Sequence, residues 1–449
     1  MTKSPNSGSI NNVKHAVDHS ASGLNWRNRT LFHGDNLKFL RAMNSESVDL
    51  IATDPPFNKG RDFHATPGSL ASGAKFQDRW SWEKDVHEEW VDQITDDHPR
   101  LMYVIEASRR VYGDDMGAFL CFMSVRLLEM RRVLKPTGSI YLHCDHTASH
   151  YLKTIMDAVF GQKNFRNEVL WLYKTGGTSK RWFARKHDTI LFYSKGSEYT
   201  FNPQKEKSYL SHKYGFSNVD IFEDEKGAYT LTGMRDYWDI PALRGNQPEA
   251  VSYPTQKPIP LYERMIKASS NEGDIVCDPF AGCATTLIAA EKLKRQWVGI
   301  DIWENAKDIV LDRLVQEKLI GTGMDRTDLF DEEVYFTANP PVRTDDGDRV
   351  APFLRVKERV KEPDGPKWTR AKMYEYLLDQ HGSKCQGCDR TFDDPRYLEL
   401  DHNTPRSDGG LNHVSNRILL CGPCNRLKSN QFTLSGLRRR NGKLGYMAR

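Results

Sequence analysis

Between residues 31 and 319, short apolar runs alternate with longer segments whose apolar positions recur every three to four residues. The runs at 49–53, 138–142, 189–193, 274–277 and 296–300 predict strands. The periodic stretches at 116–134, 150–160 and 284–293 predict helices, as does the segment after Pro258 that carries Leu261, Met265 and Ile266. Lys135-Pro136-Thr137-Gly138 reads as a turn from a helix end into a strand. Apolar strands separated by amphipathic helices predict an α/β fold, a largely parallel sheet with crossover helices on both faces. The rhythm lapses from about 200 to 252, where Tyr, Asp, Gly and Lys dominate, and with the basic stretch before it an inserted segment spans 174–252. The expected boundaries are a loose polar arm over 1–25, the α/β domain over 26–320, an extension and linker over 321–367 that includes Pro340-Pro341, and a compact unit over 368–449.

Composition narrows the class. A chain of 449 residues exceeds one core, and 38% hydrophobic residues without a long apolar run excludes a membrane-spanning class. The polar arm lacks the apolar stretch of a secretory signal, so a cytoplasmic protein is expected. The net charge of +4 hides an asymmetry: residues 351–449 hold 19 Lys and Arg against 11 Asp and Glu, a balance of +8, which leaves −4 for the rest. A basic tail on a near-neutral body fits a polyanionic partner, although a solvated charged surface gives the same count. Cys121, Cys144, Cys277 and Cys283 lie in apolar surroundings and read as buried thiols. Cys385, Cys388, Cys421 and Cys424 form two C-x-x-C pairs, which in a cytosolic setting indicate a metal.

The strand at 49–53 runs into Asp54-Pro55-Pro56-Phe57. Two prolines fix the backbone and withhold N–H groups, so carbonyls between the acid and the ring stay available as acceptors. A carboxylate and a carbonyl can accept both hydrogens of an exocyclic amine while the aromatic ring stacks on the planar group that bears it. A strand that merely ends in a Pro-Pro turn would look the same. Further along, the strand at 274–277 enters Asp278-Pro279-Phe280-Ala281-Gly282, and Ala284-Thr285-Thr286 opens a helix. Such a turn brings a ligand close to the backbone at a helix start, and Asp301, at the tip of the next strand, is placed for ribose hydroxyls. A nucleoside-containing cofactor is expected.

Five segments lie in a fixed order: 31–35 (L-F-H-G-D), 47–58, 132–145 (R-V-L-K-P-T-G-S-I-Y-L-H-C-D), 187–194 (H-D-T-I-L-F-Y-S) and 253–301, which opens Y-P-T-Q-K-P. Over roughly 270 residues the chain resembles the S-adenosylmethionine-dependent DNA amino-methyltransferases of the permuted β class, in which the D-P-P-[YF] element precedes the cofactor loop. The resemblance implies a Rossmann-like methyltransferase sheet. It also implies that Asp278, Pro279, Phe280 and Gly282 line the cofactor, with Asp301 on its ribose, Asp35 near its adenine ring, and Thr255, Gln256 and Lys257 near its methionine end. Asp54, Pro55, Pro56 and Phe57 would hold the target base, with Asp54 and the Pro55 carbonyl on its amine. An acid in first place favours adenine N6 over cytosine N4. The family usually has a further glycine where Ala284 stands, and a methyl group there is expected to tighten the turn and weaken cofactor binding. The 174–252 insertion would read the target; Lys180, Arg181 and Arg185, with Trp182 and Phe183 among them, could track phosphates and fill the gap left by an extruded base, or be a solvated basic loop. Arg235, Asp236, Tyr237 and Trp238 could reach base edges.

In the C-terminal unit, four cysteines with 32 residues between the pairs read as a closed, structural Zn²⁺ site. Between them lie Asp401-His402 and a Gly409-Gly410 turn, then Asn416, with Asn425 after the last cysteine. An Asp and an Asn can hold a hard divalent ion through oxygen, and a neighbouring His can deprotonate water. The unit resembles an HNH nuclease of the four-cysteine kind, a ββα-metal fold. By that resemblance His402 is the general base, Asp401 and Asn425 bind Mg²⁺ or a similar ion, and Asn416 orients the loop that bears His402. Arg426, Lys428 and the run Arg438-Arg439-Arg440 would grip phosphates.

Together these expectations describe a fused restriction–modification enzyme acting on double-stranded DNA, prokaryotic or phage, nucleoid-associated and without a membrane partner; related enzymes often form homodimers. The alternative is a solitary methyltransferase, adenine N6 or cytosine N4, whose HNH-like tail only binds DNA. A non-catalytic DNA-binding descendant and an RNA-directed enzyme are further readings.

Overall fold

The computed structural model describes residues 23–65, 68–69, 71–174, 177–209, 220–320, 334–345, 368–404, 411–429 and 432–448. Residues 1–22 of the expected 1–25 arm, most of the 321–367 linker and the Gly409-Gly410 turn lie outside these residues.

A nine-stranded sheet organises the described residues between 23 and 345. From edge to edge its strands are Tyr237–Asp239, Phe165–Leu172, His187–Ser194, Leu134–Cys144, Val48–Thr53, Ile275–Asp278, Gln296–Asp301, Thr30–His33 and Tyr335–Thr337. Every described pairing is parallel except those of His187–Ser194, which runs against both neighbours. Alternation along these strands divides two cores. Phe32, Ile51, Ile140, Cys277 and Val298 enter one cluster, while Leu31, Leu50, Tyr141, Val276 and Trp297 enter the other. Each strand is apolar on both faces because each face is covered. The helix Asp114–Val133 is buried along most of its length under one face, and Ile259–Ser269 and Thr285–Lys292 pack together under the other.

One expectation is corrected by this arrangement. Lys135-Pro136-Thr137-Gly138 is not a turn ahead of the strand; it lies inside Leu134–Cys144. Opposite it the register slips, Val48 facing Leu134 and Leu50 facing Ser139, so the turn-forming residues make a bulge. Gly138 is required there, since a Cβ would sit 3.0 Å from the Asp49 carbonyl. The segment without rhythm also holds regular structure, a small antiparallel sheet in the order Lys205–Tyr209, Gly227–Gly233, Phe222–Asp224. Its strands are polar and half exposed on both sides, so they carry no period-two signal.

The C-terminal unit has its own core, with Met373, Leu377, Leu400, Leu419, Leu420 and Leu437 around the four cysteines. An antiparallel hairpin, Leu398–His402 with Arg417–Cys421, is followed by the helix Gly422–Lys428, while Arg370–His381 and Leu434–Leu444 flank it. Among the described residues no helix is long and apolar enough to cross a membrane.

Candidate active sites

Parallel strands deliver their C-terminal ends to one rim, where α/β sheets place their ligands. Here those ends are His33, Thr53, Asp278 and Asp301, and the residues at or just beyond them line a single cavity of about 1470 Å³. Asp35, Asp54, Pro55, Pro56 and Phe57 line it together with Thr255, Gln256, Lys257, Asp278, Pro279, Phe280, Gly282 and Asp301. The acid of the Pro-Pro element and the glycine turn thus face the same space.

The turn around Asp54-Pro55-Pro56-Phe57 is clamped by Asp78, a residue that the sequence did not single out. Its carboxylate accepts from the backbone N–H of Phe57 at 2.8 Å, Asn58 at 2.5 Å and Lys59 at 3.2 Å. Burial nevertheless pushes the Asp78 carboxyl up to about 6. Asp54 behaves in the opposite way. Burial raises its carboxyl, but Lys257 and His143 outweigh burial and hold it at about 2. The Lys257 ammonium pairs with Asp54 Oδ2 and donates to the Thr255 carbonyl at 2.9 Å. Gln256 lines the cavity yet uses its amide on the Val251 N–H and the Glu249 carbonyl, so it shapes the loop.

On the glycine side, Asp301 accepts from the N–H groups of Gly282 and Trp303, both at 2.7 Å. Asp278 takes the hydroxyls of Thr53 at 2.7 Å and Thr286 at 2.6 Å. Burial pushes both carboxyls up to about 6. Asp35 caps the helix Asn36–Ala42 and is paired with buried Arg126 at 3.0 Å. Gly282 has φ +52, and a Cβ there would press on the Tyr253 ring at 3.2 Å, which explains a glycine at the cavity wall. Carboxylates such as Asp35, Asp54, Asp278 and Asp301 around a cavity with aromatic faces at Phe280, Trp303 and Phe122 suit a nucleoside that carries a positive charge. Ala284 is left-handed, with φ 64, and wholly buried in the sheet's second core; it is not among the cavity-lining residues.

The insertion shows a basic, aromatic tip. Lys180, Arg181 and Arg185 are exposed, as are Trp182 and Phe183. Arg185 lies 2.7 Å from His146, which follows the strand that carries His143. Trp238 does not reach outward: it is buried in the edge strand, and its indole N–H donates to the Arg235 carbonyl at 2.9 Å. Arg235 is paired with Glu206.

In the C-terminal unit the Sγ atoms of Cys385, Cys388, Cys421 and Cys424 all lie within 4.8 Å of one another, buried and unlinked by disulfides. Thiolates about 2.3 Å from a zinc ion stand about 3.8 Å apart along a tetrahedral edge; Cys388 and Cys421 are 3.8 Å apart. The Cys421 N–H points at Cys385 Sγ from 3.2 Å, as expected of a sulfur that carries negative charge. Asn416 ties down the loop after His402, accepting from the Thr404 N–H and donating to the Thr404 carbonyl, both at 2.9 Å. Lys428 is turned inward, 1% exposed, with its ammonium 2.8 Å from Asp401. His402 is buried beside Arg417 at 3.2 Å, and the Asn425 amide donates to Glu399. A carboxylate oxygen of Asp97, at the end of the helix Glu88–Asp97, also comes within 4.8 Å of the Asp401 and His402 ligand atoms. Arg426 is exposed, whereas Arg438 is paired with Asp389 at 2.6 Å.

Residues 48–312 match the family model described as DNA methylase. The chain belongs to that family. Beyond this DNA methylase domain, residues 385–431 match the model described as HNH endonuclease, so the methylase carries an HNH domain at its C-terminal side. Among curated relatives, the type II methyltransferase M.HpaI of Haemophilus parainfluenzae is 28% identical over 282 residues, 63% of this chain and 72% of that protein. The DNA adenine methyltransferase YhdJ of Escherichia coli K12 is 28% identical over 279 residues, 61% and 78% respectively. Among solved structures, the M1.HpyAVI–SAM complex aligns with 64% of this chain and 99% of that one at 18% identity, with a TM-score of 0.36.

Proposed function

We propose that this DNA methylase transfers a methyl group from S-adenosylmethionine to N6 of an adenine turned out of duplex DNA, and that its HNH domain cuts DNA lacking the mark. The supporting observation is that Asp54 and Gly282 line one cavity. Asp278, Phe280, Gly282 and Asp301 would hold S-adenosylmethionine, with Asp35 beyond them; when bound it supplies an activated methyl group. Asp54 and the Pro55 carbonyl accept the amine's two hydrogens, which draws the nitrogen lone pair out of the ring's conjugation. Phe57 offers a face in place of lost stacking, and Lys180, Arg181 and Arg185 hold phosphates. Relatives named as adenine methyltransferases favour adenine over cytosine N4.

In the tail we assign Zn²⁺ to the four cysteines as a structural ion. His402 serves as the base and Asn416 as its loop anchor. A divalent ion on Asp401 and Asn425 would have to displace the Lys428 ammonium. The same Lys428 contact favours a second reading, a tail that binds DNA without cutting.

Sequencing modified bases in DNA incubated with the full chain and S-adenosylmethionine tests the first part: N6-methyladenine at a fixed site is expected, and unmodified DNA or N4-methylcytosine alone refutes it. His402→Ala tests the second. It should abolish nicking of unmethylated DNA while methylation continues; nicking that persists, or that never occurs in the wild type, leaves the binding-only tail.

A further inference from the structure

His143 lies directly behind Asp54. Its ring is 1% exposed, with its face or edge against Phe57 at 5.5 Å and Trp171 at 5.7 Å. Nδ1 is 2.7 Å from Asp54 Oδ1. On the far side Nε2 is 3.2 Å from Asp188 Oδ2, too poorly aligned for a hydrogen bond, so this contact is one of charge. Tyr173 donates to the same Asp188 at 3.0 Å. Lys257, Asp54, His143 and Asp188 therefore alternate in sign along one buried line. A carboxylate at each nitrogen favours the doubly protonated imidazole. Burial would drive that second proton off, but the carboxylates, Asp54 foremost, outweigh burial and the repulsion of Lys257 and hold His143 above its ordinary range. Without it, two buried carboxylates would share one ammonium, which leaves buried negative charge uncompensated.

We propose that His143, clasped between Asp54 and Asp188, is a positioning residue for methyl transfer: it fixes the aim and charge of the Asp54 carboxylate, and Asp188 fixes His143 in turn. The inference rests on the adenine reading for its place in the reaction. It makes Asp54 an acceptor of hydrogen bonds and not a strong base. His143, already protonated at both nitrogens, does not take the proton that the amine sheds after transfer; that proton leaves through Asp54 to water in the cavity. The other titratable groups facing this line are Asp278, Tyr253 and Tyr262 on the Asp54 side, Tyr173 on the Asp188 side, and the Cys144 thiol, which feels both carboxylates and is held protonated by burial.

The test is single-turnover methylation of duplex DNA by the full chain between about pH 5 and pH 9. His143→Gln should slow transfer about 100-fold and bring the acid limb, below the range in the wild type, up into it, while S-adenosylmethionine affinity holds. Asp188→Asn keeps the shape and removes the charge. It should cost about tenfold and bring the alkaline limb to lower pH, because His143 then discharges sooner. A uniform loss across pH in both variants, or no loss, overturns the proposal. Where His143→Gln fails to fold, Asp188→Asn decides alone. A wild type that makes no N6-methyladenine strikes the adenine reading instead. The protonation state is then read from the nitrogen spectrum of histidine-labelled protein, with His143 assigned by its loss in a variant. An imidazolium at neutral pH upholds the arrangement, and a neutral ring overturns it.

Discussion

The two halves use buried charge in opposite ways. At the methylase rim, carboxylates and cations alternate around an open cavity, with Asp54 held between Lys257 and His143 and its acceptor face left toward the space. In the HNH unit the corresponding acid, Asp401, is 7% exposed and faces an ammonium, while His402 is fully buried and Asp97 of the methylase half stands close to both. The first acid borders an open cavity; the second is covered by the Lys428 ammonium. The stability of the two also has different sources, two large apolar clusters in one case and eight buried apolar residues plus four cysteines in the other.

That contrast is sharpest in its response to metal removal. The small core of the C-terminal unit makes it dependent on the proposed Zn²⁺, since such ions contribute about 10–16 kcal/mol in small zinc modules. Chelation, or Cys424→Ser, should unfold residues 368–448 as seen by limited proteolysis and abolish nicking. Methyl transfer should fall by less than about twofold, because no core residue of the sheet belongs to that unit. Equal loss of both activities would mean that the halves are one cooperative body.

The next largest effect separates chemistry from binding. Asp54→Ala removes an acceptor of the amine and leaves Lys257 and His143 facing each other without their shared anion. Transfer should fall by about 10³-fold, while calorimetry finds S-adenosylmethionine affinity within about threefold of the wild type. Cleavage of unmethylated DNA should be untouched.

How much of this could be read from the chain depends on distance along it. Asp54-Pro55-Pro56-Phe57, the turn at 278–282 and the two cysteine pairs are contiguous, and their chemistry follows from adjacent residues. Lys257 was placed near the cofactor, but its pairing with Asp54 spans 203 residues and no spacing announces it. His143 and Asp188 meet because the one antiparallel strand starts at the rim where its parallel neighbours end, Cys144 facing Thr189. A strand's direction is not written in its apolar pattern. The HNH resemblance implies a phosphate contact for Lys428, but the turn of helix after Cys421 points it at Asp401 instead. Lys135–Gly138 shows the same limit, since turn chemistry also builds bulges.

A smaller effect comes from pH. Asp278 and Asp301 are pushed up to about 6, so between pH 7 and pH 5 they gain protons and lose their attraction for a positive ligand. S-adenosylmethionine affinity should weaken by about tenfold over that interval. The sign for folding is reversed. These carboxyls bind protons more tightly folded than unfolded, so their contribution to stability is complete below the unfolded value of 3.8 and is lost as pH rises through about 6. Calorimetric titrations and melting curves of the unliganded chain at both pH values should therefore move in opposite directions; parallel movement would point to a general loss of structure.

The smallest effect concerns Ala284. A left-handed alanine is strained by roughly 1–2 kcal/mol, which glycine would relieve. Against that, Ala284→Gly removes a methyl group buried at 0% exposure, about 0.8 kcal/mol, and adds roughly 0.5–1 kcal/mol of backbone entropy to the unfolded chain. The contributions nearly cancel, so the melting temperature should change little. The methyl packs into the core behind the turn and does not line the cavity, so affinity for S-adenosylmethionine should change by less than about twofold. A tenfold gain in affinity would show that the turn itself moves when the methyl is removed, and would restore the expectation that alanine weakens the cofactor site.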